Sequence, residues 1–387
     1  MYRVGQEEID AVAKVILSGE LFRYHEGGEC ERFEKRYAGF VGAEHCRMTS
    51  SGTAALTALL AGLGLGPGDE VIVPAQTYMA TAISVLSVGA IPIIADVDES
   101  LTLCPRATDE IIGPRTRAMI PVHMWGLPCD MDSLTAIARK RDLLVIEDAC
   151  QAVGGAYEGR MLGSIGDGGA FSFNYYKNMT AGEGGALVTD DAEVAQRAGC
   201  MVDCCSFYWT GRQDDFRPFA ATGSRASEIE GALMNVQLDR LPSMIQALRD
   251  QKKRILKETA DTPLTPAPSR SLDWECGAQV VYTLPDEDSA TGFVEKVGGV
   301  IAGKTGRHVF TEWDPILDHQ GAHHPDLNPY NLPQNQECRR EYPEGMCERS
   351  LDILGRTVMI ANHPDRSESE VSAVIERIRE AAETVLG

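Results

Sequence analysis

Apolar residues recur at helical spacing over residues 6–18, with Ile9, Val12, Ala13 and Ile16 on one face and Gly19 behind them. That period predicts an amphipathic helix packing this face inward. A second helix is predicted near 29–41, carrying Phe33, Tyr37 and Phe40. Beyond it the pattern changes. Short apolar runs at 45–49, 70–74, 91–95, 117–122 and 143–146 alternate with helical stretches at 56–63, 78–88 and 131–141. Strands apolar on both faces, separated by helices, predict an α/β architecture with a mainly parallel sheet between helices.

From Ser227 a long helix is predicted to about Thr259, with Pro242 as a break or kink. It leads into a smaller α+β unit: a Pro/Ser-rich loop at 262–275, strands and a helix within 278–300, and an amphipathic last helix at 367–385 with Val371, Val374, Ile375 and Ile378 on one face. Residues 303–347 read as a long irregular segment with Arg307-His308, Trp313 and His323-His324-Pro325. The expected division is a large domain over 1–250 and a small one over 251–387, the irregular segment forming a loop of the latter.

Lysine plus arginine number 36 against 57 aspartate plus glutamate, a net charge of −21. Such a chain has no general attraction for nucleic acid or anionic lipid. Its eleven cysteines show no C-x-x-C pair, which argues against a zinc site or disulfide framework and for reduced thiols in a cytoplasm. Met1–Glu8 has no apolar signal region, and no apolar run is long enough to span a bilayer.

The chemistry gathers where strands end, the edge at which parallel sheets bind ligands. Ser51-Gly52-Thr53 opens a helix, whose free N–H groups and hydroxyls suit an anion; an ordinary Ser/Thr cap is the alternative. Tyr78, His123 and Glu147-Asp148 follow other strands, and Asp148, at a buried strand end, calls for a cationic partner. The run Ala170–Phe173 meets Lys177 and then Gly182-Glu183-Gly184-Gly185, a strand holding out an amine with a turn closing behind it. Burial would lower that amine's pKa and make it a Schiff-base nucleophile; a lysine merely reaching solvent is the alternative. An anion cradle, a ring face, a buried acid and a lysine are the four things pyridoxal phosphate (PLP) requires.

The motifs Ser50–Leu56, Asp69–Pro74, Val122-His123, Glu147–Ala152, Phe171–Phe173, Lys177-Asn178 and Gly182–Ala186 resemble, over nearly the whole chain, the fold type I PLP enzymes and within them the DegT/DnrJ sugar aminotransferases. The resemblance makes Lys177 the cofactor-bearing lysine and proton shuttle, and Asp148 the partner of the pyridinium nitrogen. It puts Gln151 near the ring hydroxyl, Ser172 with Ser51, Gly52 and Thr53 on the phosphate, and Tyr78 on the ring. It implies a homodimer with shared sites. Relatives often reach the partner's phosphate with an asparagine in Gly-x-Asn-x-Arg; here the segment reads Gly223-Ser224-Arg225, so Ser224 takes that place. Arg23, Tyr24, His123, Arg307 and Trp313 are the candidate substrate residues; Trp313–Leu317 resembles a segment of cyclitol and octulosonate transaminases. The activity implied is transfer of an amino group from glutamate or glutamine to a keto or aldehyde sugar, octulosonate or cyclitol, as in polysaccharide or natural-product biosynthesis. The alternatives are a PLP-dependent sugar dehydratase, whose family members commonly carry histidine at the position of Lys177, and a PLP-binding regulatory protein without turnover. A nicotinamide enzyme is disfavoured because no G-x-G-x-x-G follows the first strand. No metal is called for, although His319, His323 and His324 form an alternative ligand group.

Overall fold

The computed structural model describes residues 4–211 and 216–387; Met1 to Arg3 of the N-terminal segment read above lie outside the described residues. The first strands are β1 (His45–Thr49), β2 (Glu70–Pro74), β3 (Ile91–Ala95), β4 (Thr116–Met119), β5 (Leu144–Asp148), a small hairpin of β6 (Ala156–Tyr157) and β7 (Arg160–Met161), β8 (Gly168–Ser172) and β9 (Gly185–Thr189). Seven of them form one sheet in the order β1-β9-β8-β5-β4-β2-β3. Strands β3, β2, β4, β5 and β8 are parallel, and β9 runs against both β8 and β1. Strand β1 therefore points the same way as those five, and six strands deliver their following residues to one edge. Strands β2, β3, β8 and β9 are buried along their whole length, as their doubly apolar composition requires.

A second core lies around β10 (Thr265–Pro266), β11 (Gln279–Thr283), β12 (Val300–Ile301) and β13 (Thr357–Ala361), an antiparallel sheet in the order β10-β11-β13-β12. Helices Glu287–Val297 and Glu368–Leu386 supply Phe293, Val374 and Ile378 to it. The 31-residue helix Glu228–Glu258 joins the two cores, placing Leu241 and Leu248 in the first and Ile255 in the second. Ser227 opens it with a capping box to Glu230, and Pro242, where the sequence predicts a break or kink, lies inside one continuous helix.

Residues 302–354 then leave the second unit and return to the first. Val309, Phe310, Trp313, Tyr330 and Leu354 belong to the first core. Asn335 accepts from Gly68 N–H and donates to the Gly89 carbonyl at 2.9 Å, Arg339 pairs with Glu70, and the Tyr342 hydroxyl donates to the Pro92 carbonyl at 2.9 Å. The segment is a strap across the β2–β3 side of the large sheet, so the two cores do not follow a single cut after residue 250.

The helix Gln6–Ser18 forms as expected, but its buried face is rotated: Val12 and Ala13 stay partly buried at its margin. Ile9 and Ile16 are 60% and 56% exposed, while Glu8 and Val15 are buried. Glu8 accepts hydrogen bonds from Gly5 N–H, Gln237 and Arg240, at 2.8, 2.6 and 2.6 Å. A buried carboxylate with a guanidinium and two further donors fixes the helix against Glu228–Glu258 and overrides apolar periodicity.

Candidate cofactor and substrate site

A cavity of about 660 Å³ opens at the edge where the six strands end. Its lining includes Ser51, Gly52, Thr53, Tyr78, Asp148, Gln151, Ser172, Lys177 and Arg307, nine of the residues expected from the sequence, supplied by five separate stretches of chain.

One end is an anion cradle. Ser51 is the N-cap of helix Gly52–Gly62, its side chain accepting from Ala54 N–H at 3.1 Å, which leaves its own hydroxyl hydrogen free to donate. The first N–H groups of the helix have no partner within the helix and carry the positive end of its dipole. Ser172, at the end of β8, stands beside them: a Cβ on Gly52 would lie 2.9 Å from Ser172 Cβ and 2.7 Å from Cys150 Sγ. Gly185 backs the same turn, where a Cβ would fall 2.5 Å from the Ser51 carbonyl carbon. Both glycines are required because backbone and side chains close around this point with no room for a methyl group.

Asp148 is buried at the end of β5. Its Oδ2 accepts from the Thr81 hydroxyl at 2.7 Å and its Oδ1 from Cys150 N–H at 3.1 Å. Both donors are neutral, and no cation among the described residues pairs with it. Lys177 does not stand at a strand end. It lies in the loop after β8, half-buried, with its N–H on the Asn174 carbonyl at 2.9 Å. Gly182 and Gly184, at φ 87° and 143°, close this loop onto Tyr175 and Phe173. Among the described residues the Lys177 amine has no hydrogen-bond or ion-pair partner.

The opposite wall comes from the returning strap. Thr77 N–H donates to the His308 carbonyl and Met79 N–H to the Arg307 carbonyl, at 3.0 and 3.1 Å. This seats the Arg307 guanidinium 5.4 Å above the Tyr78 ring and puts His308 between Tyr78 and Trp125, at 5.5 and 6.1 Å. His308 Nδ1 faces the Thr305 carbonyl at 3.1 Å, so it carries the hydrogen and leaves Nε2 as an acceptor. Burial lowers the His308 pKa below its ordinary value. Gln151 accepts from Trp125 N–H at 3.3 Å, so its amide end is fixed beside the same wall.

Other expected residues lie elsewhere. His123 is fully buried: Nδ1 accepts from Cys129 N–H at 3.2 Å and Nε2 donates to Glu147 at 3.0 Å. Glu147 also takes the N–H groups of Gly163, Ile165 and Gly166, so the pair ties that loop beneath the sheet and does not reach substrate. Trp313 is fully buried in the core. Arg23 is buried against Glu34, which also holds Met48 N–H, and Tyr24 donates to Asp203 at 2.8 Å. Ser224 is held through its backbone, accepting from Ser50 N–H at 2.8 Å, and does not line the cavity of its own chain. His319 stacks on Tyr330 at 4.4 Å and forms no ligand group with His323 and His324. Among the described residues one such group occurs, Asp203-Cys204-Cys205, and its aspartate is engaged by Tyr24 and Arg225. Thr77, Thr81, Trp125, Tyr176 and His308 line the cavity without having been singled out as site residues. The Arg307-His308 pair was visible in the sequence, but the hydroxyls and Trp125 carried no local signal.

The profile of the DegT/DnrJ/EryC1/StrS aminotransferase family matches residues 3–296. The chain belongs to this family. It is 33% identical over 390 residues to the spore coat polysaccharide biosynthesis protein SpsC of Bacillus subtilis, covering 97% of this chain and 95% of that one. It is also 33% identical to the dTDP-3-amino-3,4,6-trideoxy-alpha-D-glucose transaminase of Streptomyces venezuelae, over 97% and 92% of the two chains. An aminotransferase structure from Psychrobacter cryohalolentis superposes with a TM-score of 0.83 at 26% identity, covering 100% and 98%. The fold is shared more widely: a GDP-4-keto-6-deoxymannose-3-dehydratase with a trapped PLP–glutamate geminal diamine superposes at 0.80 with 20% identity, covering 98% of both chains. The chain is an aminotransferase, and its cofactor is PLP. The residues present fit that group. A cradle too tight for a methyl at Gly52 matches a phosphate held by helix N–H groups and hydroxyls. A buried carboxylate with only neutral donors matches a protonated ring nitrogen, and an unpaired amine shares the cavity. No helix among the described residues is long and apolar enough to cross a membrane.

Proposed function

We propose that this enzyme moves an amino group from glutamate or glutamine onto the carbonyl carbon of a polyhydroxylated ring or chain, a keto or aldehyde sugar, an octulosonate or a cyclitol ketone. The observation that carries the reading is the joint placement of an unpaired Lys177 amine and a cation-free buried Asp148 on one cavity, beside a wall bearing Arg307 and neutral His308. When bound, the cofactor supplies an electron sink that acidifies the donor's α-carbon. Asp148 keeps the ring nitrogen protonated, and Ser51, Gly52, Thr53 and Ser172 hold the phosphate. Lys177 takes the proton from the donor α-carbon and, in the second half-reaction, exchanges one with the acceptor carbon. Arg307 offers a guanidinium to a carboxylate, of the donor or of an octulosonate, and His308 Nε2 accepts from an acceptor hydroxyl. The Streptomyces venezuelae relative, a transaminase named for a dTDP-linked sugar, supports the hydroxylated-acceptor class.

Dehydration is the second reading, because a dehydratase shares the fold. Lysine at position 177, where dehydrating members commonly carry histidine, favours transfer. The exposed Ile9, Leu17, Phe22 and Trp209 support a homodimer in which a second copy covers these side chains, and light scattering tests it. Screening keto sugars and inososes with glutamate or glutamine, read by mass spectrometry, tests the activity: an aminated product supports it, and a deoxygenated product without amine gain overturns it. Borohydride reduction should fix the cofactor on the peptide carrying Lys177; a fixed adduct on any other lysine overturns the lysine's role.

A further inference from the structure

The hydroxyls beneath Asp148 form an ordered chain. Thr81 Oγ1 donates to Asp148 Oδ2 at 2.7 Å, and Thr77 Oγ1 lies 2.7 Å from Thr81 Oγ1. A threonine hydroxyl carries one hydrogen. The carboxylate and the Tyr78 carbonyl both only accept; at 2.7 Å against 3.2 Å the carboxylate takes the Thr81 hydrogen, and Thr77 then donates to Thr81. Thr77 and Thr81 are each 1% exposed and Asp148 4%, so water does not compete for these bonds. With Cys150 N–H on the other oxygen, each carboxylate oxygen has one fixed neutral donor and keeps a lone pair free. Neutral donors fix the orientation of the carboxylate without adding a counter-charge that would compete with a pyridinium.

We propose that Thr77 and Thr81 are a positioning relay that holds the Asp148 carboxylate oriented before the cofactor arrives, so that cofactor retention depends on Thr81 through Asp148. The inference rests on the cofactor assignment but not on the identity of the acceptor. A purely local role has a clear rival form: both hydroxyls also approach the Tyr78 carbonyl, at 3.4 and 3.2 Å, and could simply brace the start of helix Ala80–Ser87. Bracing and relay differ in whether the effect passes through the carboxylate.

The experiment is equilibrium titration of apoprotein with PLP, read by the cofactor's visible absorbance, for wild type, Thr81→Val, Thr81→Ser, Thr77→Val, Asp148→Asn and the Thr81→Val/Asp148→Asn double variant. Loss of one buried bond to a charged group is expected to raise the dissociation constant about tenfold in Thr81→Val and about threefold in Thr77→Val, while Thr81→Ser stays within about twofold of wild type. In the Asp148→Asn background Thr81→Val should add nothing further. If Thr81→Val binds PLP as wild type does, or weakens binding equally in both backgrounds, the relay is wrong. Should Thr81→Val not fold, Thr77→Val in the same cycle decides, because its side chain does not touch the carboxylate. Failure of wild type to bind PLP at all would instead strike the cofactor assignment.

Discussion

Trp313 Nε1 donates to the carbonyl of Arg307 across 3.0 Å, so the indole braces the residue that faces the cavity and does not itself face it. Trp313→Phe should lose that bond at a cost of about 0.5–1.5 kcal/mol, and Trp313→Ala should cost about 3–5 kcal/mol as a fully buried large side chain. Thermal denaturation checks both. With Arg307 loosened, KM for a carboxylate-bearing substrate should rise in Trp313→Phe more than kcat falls; an unchanged KM would detach Arg307 from binding.

Gly185→Ala should be the more damaging of the two cradle substitutions. Its Cβ would meet the Ser51 carbonyl carbon at 2.5 Å and Gly52 N at 2.7 Å, backbone atoms that cannot swing aside. Gly52→Ala meets Cys150 Sγ, which can turn away about its side-chain torsion, and Ser172 Cβ at 2.9 Å, which moves only with its backbone, so this variant is also impaired but makes no sub-3 Å contact with main-chain atoms. PLP affinity should drop by about tenfold or more in Gly185→Ala, corresponding to roughly 1.4 kcal/mol. Titration of the apoproteins measures this, and wild-type affinity in Gly185→Ala would remove the phosphate from this turn.

Asp148→Asn keeps the side chain's shape and removes its charge. Breaking a buried pair of opposite charges costs about 3–5 kcal/mol, part of which should appear as slower removal of the donor's α-proton. Exchange of the glutamate α-hydrogen in heavy water, followed by NMR, isolates that step. Exchange at the wild-type rate would mean that the ring nitrogen is not held by this carboxylate.

Glu70 gives the strap a pH dependence. Burial alone would raise its carboxyl, but the Arg339 guanidinium and N–H outweigh burial and hold it below its ordinary 4.5. A lowered carboxyl contributes stability that is complete above about 4.5 and lost as pH falls through the depressed value. Wild type should therefore lose stability in acid more steeply than Glu70→Gln. Parallel curves in denaturant titrations between pH 6 and 3 would show that the strap is not anchored by this ion pair.

The sequence carried the sheet and most of the cofactor pocket because both depend on local signals. Doubly apolar runs mark buried parallel strands; Ser51-Gly52-Thr53 and Asp148 fall at their ends, and Lys177 lies in the loop that follows one of them. What it did not carry depends on distant partners. Nothing around Glu8 announces Arg240, yet that pairing rotates the buried face of the first helix away from Ile9 and Ile16. Trp313 has a polar tip whose partner, the Arg307 carbonyl, is a backbone atom that any residue type supplies, and His123 is held by Cys129 N–H and by Glu147 from another strand. Thr81 looks like an ordinary helix residue until β5 brings Asp148 beside it. Strand β9, which reverses the sheet's direction, was hidden within the glycine-rich turn and short apolar run that follow Lys177.

The strap also sets an order of assembly. Arg339 reaches Glu70 across 269 positions of sequence, and Ser350 reaches Asp96 across 254. A ribosome therefore releases the lysine loop, the carboxylate and the phosphate turn long before it releases the Arg307–His308 wall. Closing such loops is slow because their entropy is lost before the contacts form. The nascent chain spends that interval with the apolar bed of Trp313 and Phe310 uncovered, a stage at which chaperones and early cofactor capture have most to act on.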